Sequence, residues 1–366
     1  MREKALEVLK IFENNGFQAY IVGGFVRDYL LDRKTLDIDI CTNATPKDII
    51  KIFDYVKVSD FSYGSITIVY KKIKFDVTTF RKDIKYEDNR KPIKIKYISN
   101  LNDDLLRRDF TINTLCMDSN GNIIDLLNGK IDLENRIVKT VSNPKYKIKE
   151  DSLRILRAVR FATILDFNIE EKTRKYLIKY GYLLEKLSVN RKKDELTKIF
   201  SSVNKEKGRK LLLELKLDKY LKISNLKDIV LCDDIIGIWS QLEMKDTYPF
   251  TKLEKENISK IRELLNYSEI DEYILYKYGL YLSTVVYDIK NRDKIILNEM
   301  HRNLPIYNSK EINITALEIA YLLNERPGSY IKEIINDLEK QIVYKYIRND
   351  KEEIAKYIIE NYKIAS

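Results

Sequence analysis

The spacing of apolar positions changes character near residue 143. Ahead of that point, Glu3 to Asn15 places Leu6, Leu9, Ile11 and Phe12 at helical intervals. Four short runs follow in which apolar and polar residues alternate: FQAYIVGG, LDIDICT, SITIVY and IKFDVTTF. Alternation of this kind predicts half-buried strands. Helical patterns at Val26 to Leu31 and Pro46 to Phe53 are interleaved with them, which makes a mixed α/β module. From about Pro144 the strand signal vanishes. Segments 149–166, 170–187, 190–202, 205–216, 252–266 and 329–346 then read as helices broken at Asn, Gly or Pro. No repeat of fixed period and no low-complexity linker interrupts them. The expected fold class is α+β: a small α/β head at 1–143, then an all-α neck at 144–203, body at 204–305 and tail at 306–366.

Composition narrows what such a chain does. At ~150 residues per domain, 366 residues make two or three units with real cores. No run of about 18 apolar residues occurs, so a transmembrane helix is not expected. The start MREKALEVLKIFENN has no signal-peptide stretch, and a cytoplasmic location follows as the expectation. Cys41, Cys116 and Cys232 stand far apart and His301 is the single histidine, in the charged, loop-like segment NEMHRNLP. Zinc, disulfide and histidine chemistry are thereby disfavoured, which leaves carboxylates, lysines, arginines and a bound metal. The net charge of +10 fits a polyanionic partner such as nucleic acid, or equally a Lys- and Ile-rich composition.

Candidate chemistry begins at Asp37-Ile38-Asp39. Residues two apart in a strand share a face, so both carboxylates point one way while Ile38 and Ile40 enter the core. Hard oxygen ligands so placed suit Mg²⁺, and Asp76, between Phe75 and Val77 on another strand, could add a third. The other reading of the pair is surface decoration. Just upstream, Gly23-Gly24 leads from a strand into a helix carrying Arg27 in its first turn. That is either a cradle for phosphate or a tight structural turn. In RRDFTIN, Arg108, Asp109 and Asn113 could hold a triphosphate and a ribose, or merely ion-pair a junction. Within EDSLRILRAVRFAT, Asp151, Arg154, Arg157 and Arg160 recur every third residue and are expected as one polar stripe, flanked by Leu153, Leu156 and Val159. Three arginines in a row repel unless an anion faces them. An Asp beside an Arg can accept from an amine and donate to a ring acceptor, a pattern that cytosine and adenine share.

Taken in order and spacing, Gly23-Gly24-x-x-Arg27-Asp28, Asp37-x-Asp39-x-x-Thr42, Arg107-Arg108-Asp109-Phe110-Thr111-Ile112-Asn113 and Glu150-Asp151-x-x-Arg154 resemble the motifs of class II tRNA nucleotidyltransferases. That family comprises bacterial CCA-adding enzymes and their poly(A) polymerase relatives, and the likeness runs through the first 200 residues. It implies a polymerase-β-like nucleotidyltransferase head, Mg²⁺ as cofactor, CTP and ATP as substrates, and tRNA as partner through its acceptor arm and elbow. It also implies catalysis at Asp37, Asp39 and Asp76, and nucleotide contacts at Gly23, Gly24, Arg27, Arg108, Asp109, Asn113, Asp151, Arg154, Arg157 and Arg160. Glu150, Arg191 and Glu195 become supports, the last two bracing the nucleotide helix as an i, i+4 pair. Tyr86, Asp88, Arg90 and Pro92 match the family's mobile loop, which helps the switch from adding C to adding A. Departures from the family pattern are Asp32, where a glycine often ends a turn, and Thr114, Cys116 and Asn190. An A-only tRNA enzyme, a poly(A) polymerase, and an RNA-binding protein with an inactive head are the alternatives; monomer and homodimer both remain open.

Overall fold

The computed structural model describes residues 1–35, 37–60, 64–87 and 91–362, with side chains at 58–60, 83, 85–87 and 91–94 excepted. Helix α1 (Arg2–Asn14) buries Ala5, Val8, Leu9 and Phe12. Strand β1 (Ala19–Val22) runs into α2 (Gly24–Leu30) through Gly23, whose φ of +81° suits a residue without a Cβ. Asp32, where the family often has glycine, also adopts a left-handed φ of +52°. Next come β2 (Asp39–Thr42), α3 (Pro46–Ile52), β3 (Val56–Asp60), β4 (Ser65–Tyr70) and β5 (Ile73–Thr79). After the pair β6 (Arg81–Glu87) and β7 (Lys91–Tyr97) stand α4 (Leu101–Leu106), β8 (Cys116–Met117) and β9 (Ile123–Ile124).

Among the described residues one seven-stranded sheet has the order β3-β4-β5-β2-β1-β8-β9. Only β2 and β5 are parallel neighbours in it, and their register sets Asp39 opposite Asp76. Alternation carries the apolar side chains inward: Ile40, Ile66, Ile68, Phe75 and Val77 are buried. The segment read as a mobile loop proves to be a two-stranded antiparallel hairpin, in which Tyr86 pairs with Pro92. Asp88 and Arg90 lie outside the described residues.

Helices then dominate, with one exception to the expectation. A two-residue strand β11 (Asn168–Ile169) pairs in parallel with β10 (Ile137–Val138), beyond the point where strands were expected to stop. The head ends with α5 (Gly129–Glu134), and the neck holds α6 (Pro144–Glu150), α7 (Leu153–Ile164), α8 (Glu171–Tyr180) and α9 (Val189–Phe200). The single helix expected at 149–166 is therefore two, broken at Asp151, whose φ of −144° and ψ of 109° are extended. Segment 170–187 likewise ends as a 3-10 turn over Gly181–Lys186.

Two compact units result. One holds Met1–Lys227 with Glu243–Pro249; the other holds Asp228–Leu242 with Phe250–Ser366. The second is helical throughout its described elements, with Ile306, Ile319, Leu338, Ile342, Ile354 and Ile358 in its core. His301 lies inside the helix Ile295–Arg302, not in a loop. No helix among the described residues is long and apolar enough to cross a membrane.

One close approach seats the turn that carries Asn113. A Cβ on Gly129 would come 2.3 Å from the Thr111 carbonyl oxygen, an atom of the backbone that cannot swing aside. Gly129→Ala is expected to destabilise the first unit by about 1–3 kcal/mol, as overpacking does. Urea unfolding measures this, and a variant as stable as wild type would contradict the contact.

Candidate active site

The acids come first. Asp37 stands just before β2 and Asp39 begins it, both exposed, while Ile38 and Ile40 are 3% and 1% exposed. In-register parallel neighbours point to the same face about 4.8 Å apart, which brings Asp39 and Asp76 side by side. Desolvation, then Asp37, push the Asp39 carboxyl above its ordinary pKa; Arg108 pulls it down and Asp76 raises it again. Charge on Asp39 is thus disfavoured until a cation arrives. Two hard carboxylates of this kind fit Mg²⁺, which uses one or two protein acids and completes its shell with water and phosphate oxygens. Asp76 gives one oxygen to the Thr67 hydroxyl at 2.6 Å. Among the described residues no three His, Cys, Asp or Glu side chains gather as a metal site.

Beside the acids lies a cationic wall. Arg108 sits against Gly23, with Nη1 3.6 Å from where a Cβ would be. Its orientation comes from Asp104, a fully buried acid that the sequence reading missed. Asp104 accepts from Arg107 Nε at 2.8 Å, Arg108 Nη2 at 3.3 Å and the Arg81 backbone N–H at 3.2 Å. Burial opposes its charge, and the two arginines outweigh it and hold its carboxyl below the usual range. Its i, i+3 and i, i+4 spacing to Arg107 and Arg108 was the available signal.

The neck supplies the rest, and here two expectations change. Asp151 precedes α7 instead of belonging to its stripe, and its Oδ1 accepts from the Leu153 N–H at 3.0 Å. Burial raises its carboxyl above the ordinary range, against the Leu153 N–H and the charges of Arg154, Arg191 and Arg157, which lower it. The arginines are faced by anions of the protein itself. Arg154 donates to Glu150 at 2.7 Å and to the carbonyls of Lys147 and Arg107 at 2.8 and 2.9 Å. Arg157 donates to Asp109 Oδ2 at 2.7 Å, and Arg160 pairs with Glu195 at 2.8 Å. Arg191 approaches Asp151 at 3.7 Å, so Arg191 and Glu195 do not pair with one another but each reach from α9 to the segment holding the arginines.

Asp109 joins the two halves. Its Oδ1 accepts from the Phe110 N–H at 2.8 Å and the Asn113 amide at 3.1 Å. Asn113 in turn accepts from Arg27 Nη1 at 2.8 Å, while Arg27 grips Asp28 through Nε and Nη2 at 2.8 and 2.9 Å. Arg27, Asn113, Asp109 and Arg157 therefore form one continuous chain of bonds from head to neck. Phe161 lies beneath the guanidiniums of this chain.

Burial opposes the charge on Asp109, but Arg157 and the Asn113 amide outweigh it and hold its carboxyl well below the usual range. Such a group lends stability above its unfolded pKa and loses it as pH falls toward the folded one. Asp109→Asn is expected to cost about 1.5–3 kcal/mol at neutral pH, the worth of charge-assisted bonds. The gap to wild type should close below about pH 4, where the unfolded carboxyl takes up its proton. Unfolding in urea across that range tests it, and a gap independent of pH would contradict the assignment.

Residues 19–139 match the family model of the poly A polymerase head domain, and 243–358 that of a tRNA nucleotidyltransferase domain 2. Residues 166–224 match a model described as "Probable RNA and SrmB- binding site of polymerase A". A CCA-adding enzyme of Anoxybacillus flavithermus is 32% identical over 389 residues, covering 98% of this chain and 97% of its own. Another, from Ligilactobacillus salivarius, is 34% identical over 391 residues, covering 99% and 96%. The structure of the Bacillus stearothermophilus CCA-adding enzyme in complex with CTP superposes with a TM-score of 0.86 at 25% identity, over 98% of this chain and 96% of that one. The Thermotoga maritima CCA-adding enzyme complexed with tRNA shares the fold, with a TM-score of 0.68 at 21% identity over 98% and 94%. On this likeness along its whole length, the chain belongs to the family of CCA-adding enzymes, which are tRNA nucleotidyltransferases.

Proposed function

We propose that the chain completes the 3′ end of tRNA, adding C, C and A in turn from CTP and ATP without a nucleic-acid template and releasing pyrophosphate. The observation that carries this reading is the position of Arg108, beside the Gly23 turn on one side and close enough to Asp39 to lower its pKa on the other. One guanidinium thus borders both a phosphate-facing turn and a metal-facing acid.

In this reading the 3′-hydroxyl of the RNA attacks the α-phosphorus, the bond to the β-phosphate oxygen breaks, and pyrophosphate leaves. Enzymes of the family generally depend on a divalent metal. Asp37 and Asp39 would hold Mg²⁺, whose chemistry is to acidify the attacking hydroxyl and neutralise charge on the leaving group. Asp76 assists as a further ligand or as the base that takes the hydroxyl proton. Arg27, Arg108, Arg157 and Arg160, with the Gly23-Gly24 turn, receive the triphosphate through charge-assisted bonds, and Asp109 and Asn113 orient the ribose. Asp151 and Arg154 read the base: the carboxylate accepts from the exocyclic amine of C or A and the guanidinium donates to the adjacent ring acceptor. The bonds of Arg154 to Glu150, Lys147 and Arg107 support this role by holding the donor rigid.

The division of labour follows: head 1–143 for chemistry, neck 144–203 for selection, body 204–305 and tail 306–366 for holding tRNA. Tyr86, Asp88, Arg90 and Pro92 serve the change from C to A. The net charge of +10 supports a phosphate-bound partner whose affinity falls with salt. A tRNA substrate puts the activity in the cytoplasm.

Transcripts ending before the tail, after C and after CC, each offered CTP or ATP, test the whole reading. C should enter the first two and A the third; incorporation of A alone on every transcript would contradict it. In the same assay, Asp39→Ala is expected to lower incorporation by more than about 100-fold, beyond what outer-shell partners of a metal cost. Retained tRNA binding with lost turnover is the expected pattern, and full turnover in Mg²⁺ would overturn the metal assignment. Asp151→Ala should reduce discrimination against UTP by about 10–100-fold, the scale of ~1–3 kcal/mol per base pair read. If UTP and GTP stay excluded, base reading resides elsewhere.

A further inference from the structure

Phe161 stands near the end of α7 and is 7% exposed. Its ring meets Phe110 of the head edge-on, with centroids 5.7 Å apart. Three guanidinium carbons lie over the same ring, Arg160 at 4.4 Å, Arg27 at 5.1 Å and Arg157 at 5.2 Å. All are inside the ~6 Å reach of a cation–π contact. Two come from α7 itself and the third from α2 in the head.

Each of these cations has its own carboxylate, and the carboxylates lie on three separate elements. Asp28 holds Arg27, Asp109 holds Arg157, and Glu195 on α9 holds Arg160. The cations disfavour one another: after burial, and against the help of Glu195, Arg157 and Arg27 both work against the charge on Arg160. Among the described residues the Phe161 ring is the group that all three share. An aliphatic side chain of similar bulk would fill the space but offer no negative π face.

We propose that Phe161 is a positioning residue for the nucleotide's triphosphate, its ring gathering Arg27, Arg157 and Arg160 into one cationic face. The proposal rests on the reading of these arginines as phosphate contacts and adds what keeps three like charges together before the nucleotide arrives. Because the phosphates are common to CTP and ATP, the effect of the ring is blind to the base.

The full chain with Phe161→Leu, and with 3,4,5-trifluorophenylalanine at the same position, provides the test. The fluorinated ring keeps shape and burial while draining the π face. Steady-state KM and kcat are measured for CTP on a transcript ending after C and for ATP on one ending after CC. Both replacements should raise KM for CTP and ATP by the same factor, about five- to twentyfold for the loss of partly desolvated cation–π contacts. Changes in kcat should stay near twofold, and exclusion of UTP should be unaltered. A fluorinated variant with wild-type KM overturns the proposal, as does a loss confined to one nucleotide or to base choice. Should Phe161→Leu fail to fold, the fluorinated chain still decides the matter. Wild-type protein that incorporates neither nucleotide would instead defeat the underlying reading.

Discussion

A single carboxylate, Asp109, ties the sheet-bearing head to the helices of the neck. One of its oxygens anchors Asn113, and through it Arg27; the other takes Arg157 of α7. Because the acid is buried, its charge survives only while those donors stay in place, and they are fixed by it in return. The Arg154 bond to the Arg107 carbonyl adds a second link from neck to head, and the Arg160 pair with Glu195 ties α7 to α9 within the neck. Charged groups that would repel one another are thereby made into a frame.

At the acids the balance differs. The parallel pairing of β2 with β5 sets Asp39 beside Asp76, and Arg108 offsets only part of what raises the Asp39 carboxyl. An acid whose carboxyl is raised first by desolvation and then by a neighbouring acid is a common mark of a functional site, where a bound cation supplies the missing positive charge. The carboxylates of Glu150, Asp109 and Glu195 face Arg154, Arg157 and Arg160, whereas Asp39 has only the more distant Arg108 acting against its burial and its acidic neighbours. Gly23 and Arg108 stand between the two regimes.

Much of this was legible in the chain. Alternation located the strands bearing Asp39 and Asp76, because burial of Ile38, Ile40, Phe75 and Val77 imposes a period of two. The spacing of the motifs singled out Arg27, Asp109, Asn113 and Arg157, which the structure joins through hydrogen bonds, and Arg154, which it bonds to the Arg107 carbonyl. What local pattern could not reveal was partnership. A helical period runs unbroken through EDSLRILRAVRF, yet the backbone turns extended at Asp151, whose carboxyl caps Leu153. An i, i+4 spacing suggested that Arg191 and Glu195 pair, whereas tertiary packing gives each a better partner across the helices. The polar stretch around Tyr86 was read as a loop on its likeness to the family's mobile loop, although Ile93, Ile95 and Tyr97 alternate with lysines, and the two-residue strand at Asn168–Ile169 is too short to show a period at all. Asp104 and Phe161 were overlooked because their importance lies in what converges on them from distant parts of the chain.

A double-mutant cycle of Asp109→Asn and Arg157→Gln, read by urea unfolding near neutral pH, tests the central claim most directly. The expected coupling is at least about 1.5 kcal/mol, the value of a charge-assisted bond whose loss strands its partner. Single-variant effects that simply add, within about 0.5 kcal/mol, would mean that the two groups stabilise the chain independently and that the frame joining head to neck lies elsewhere.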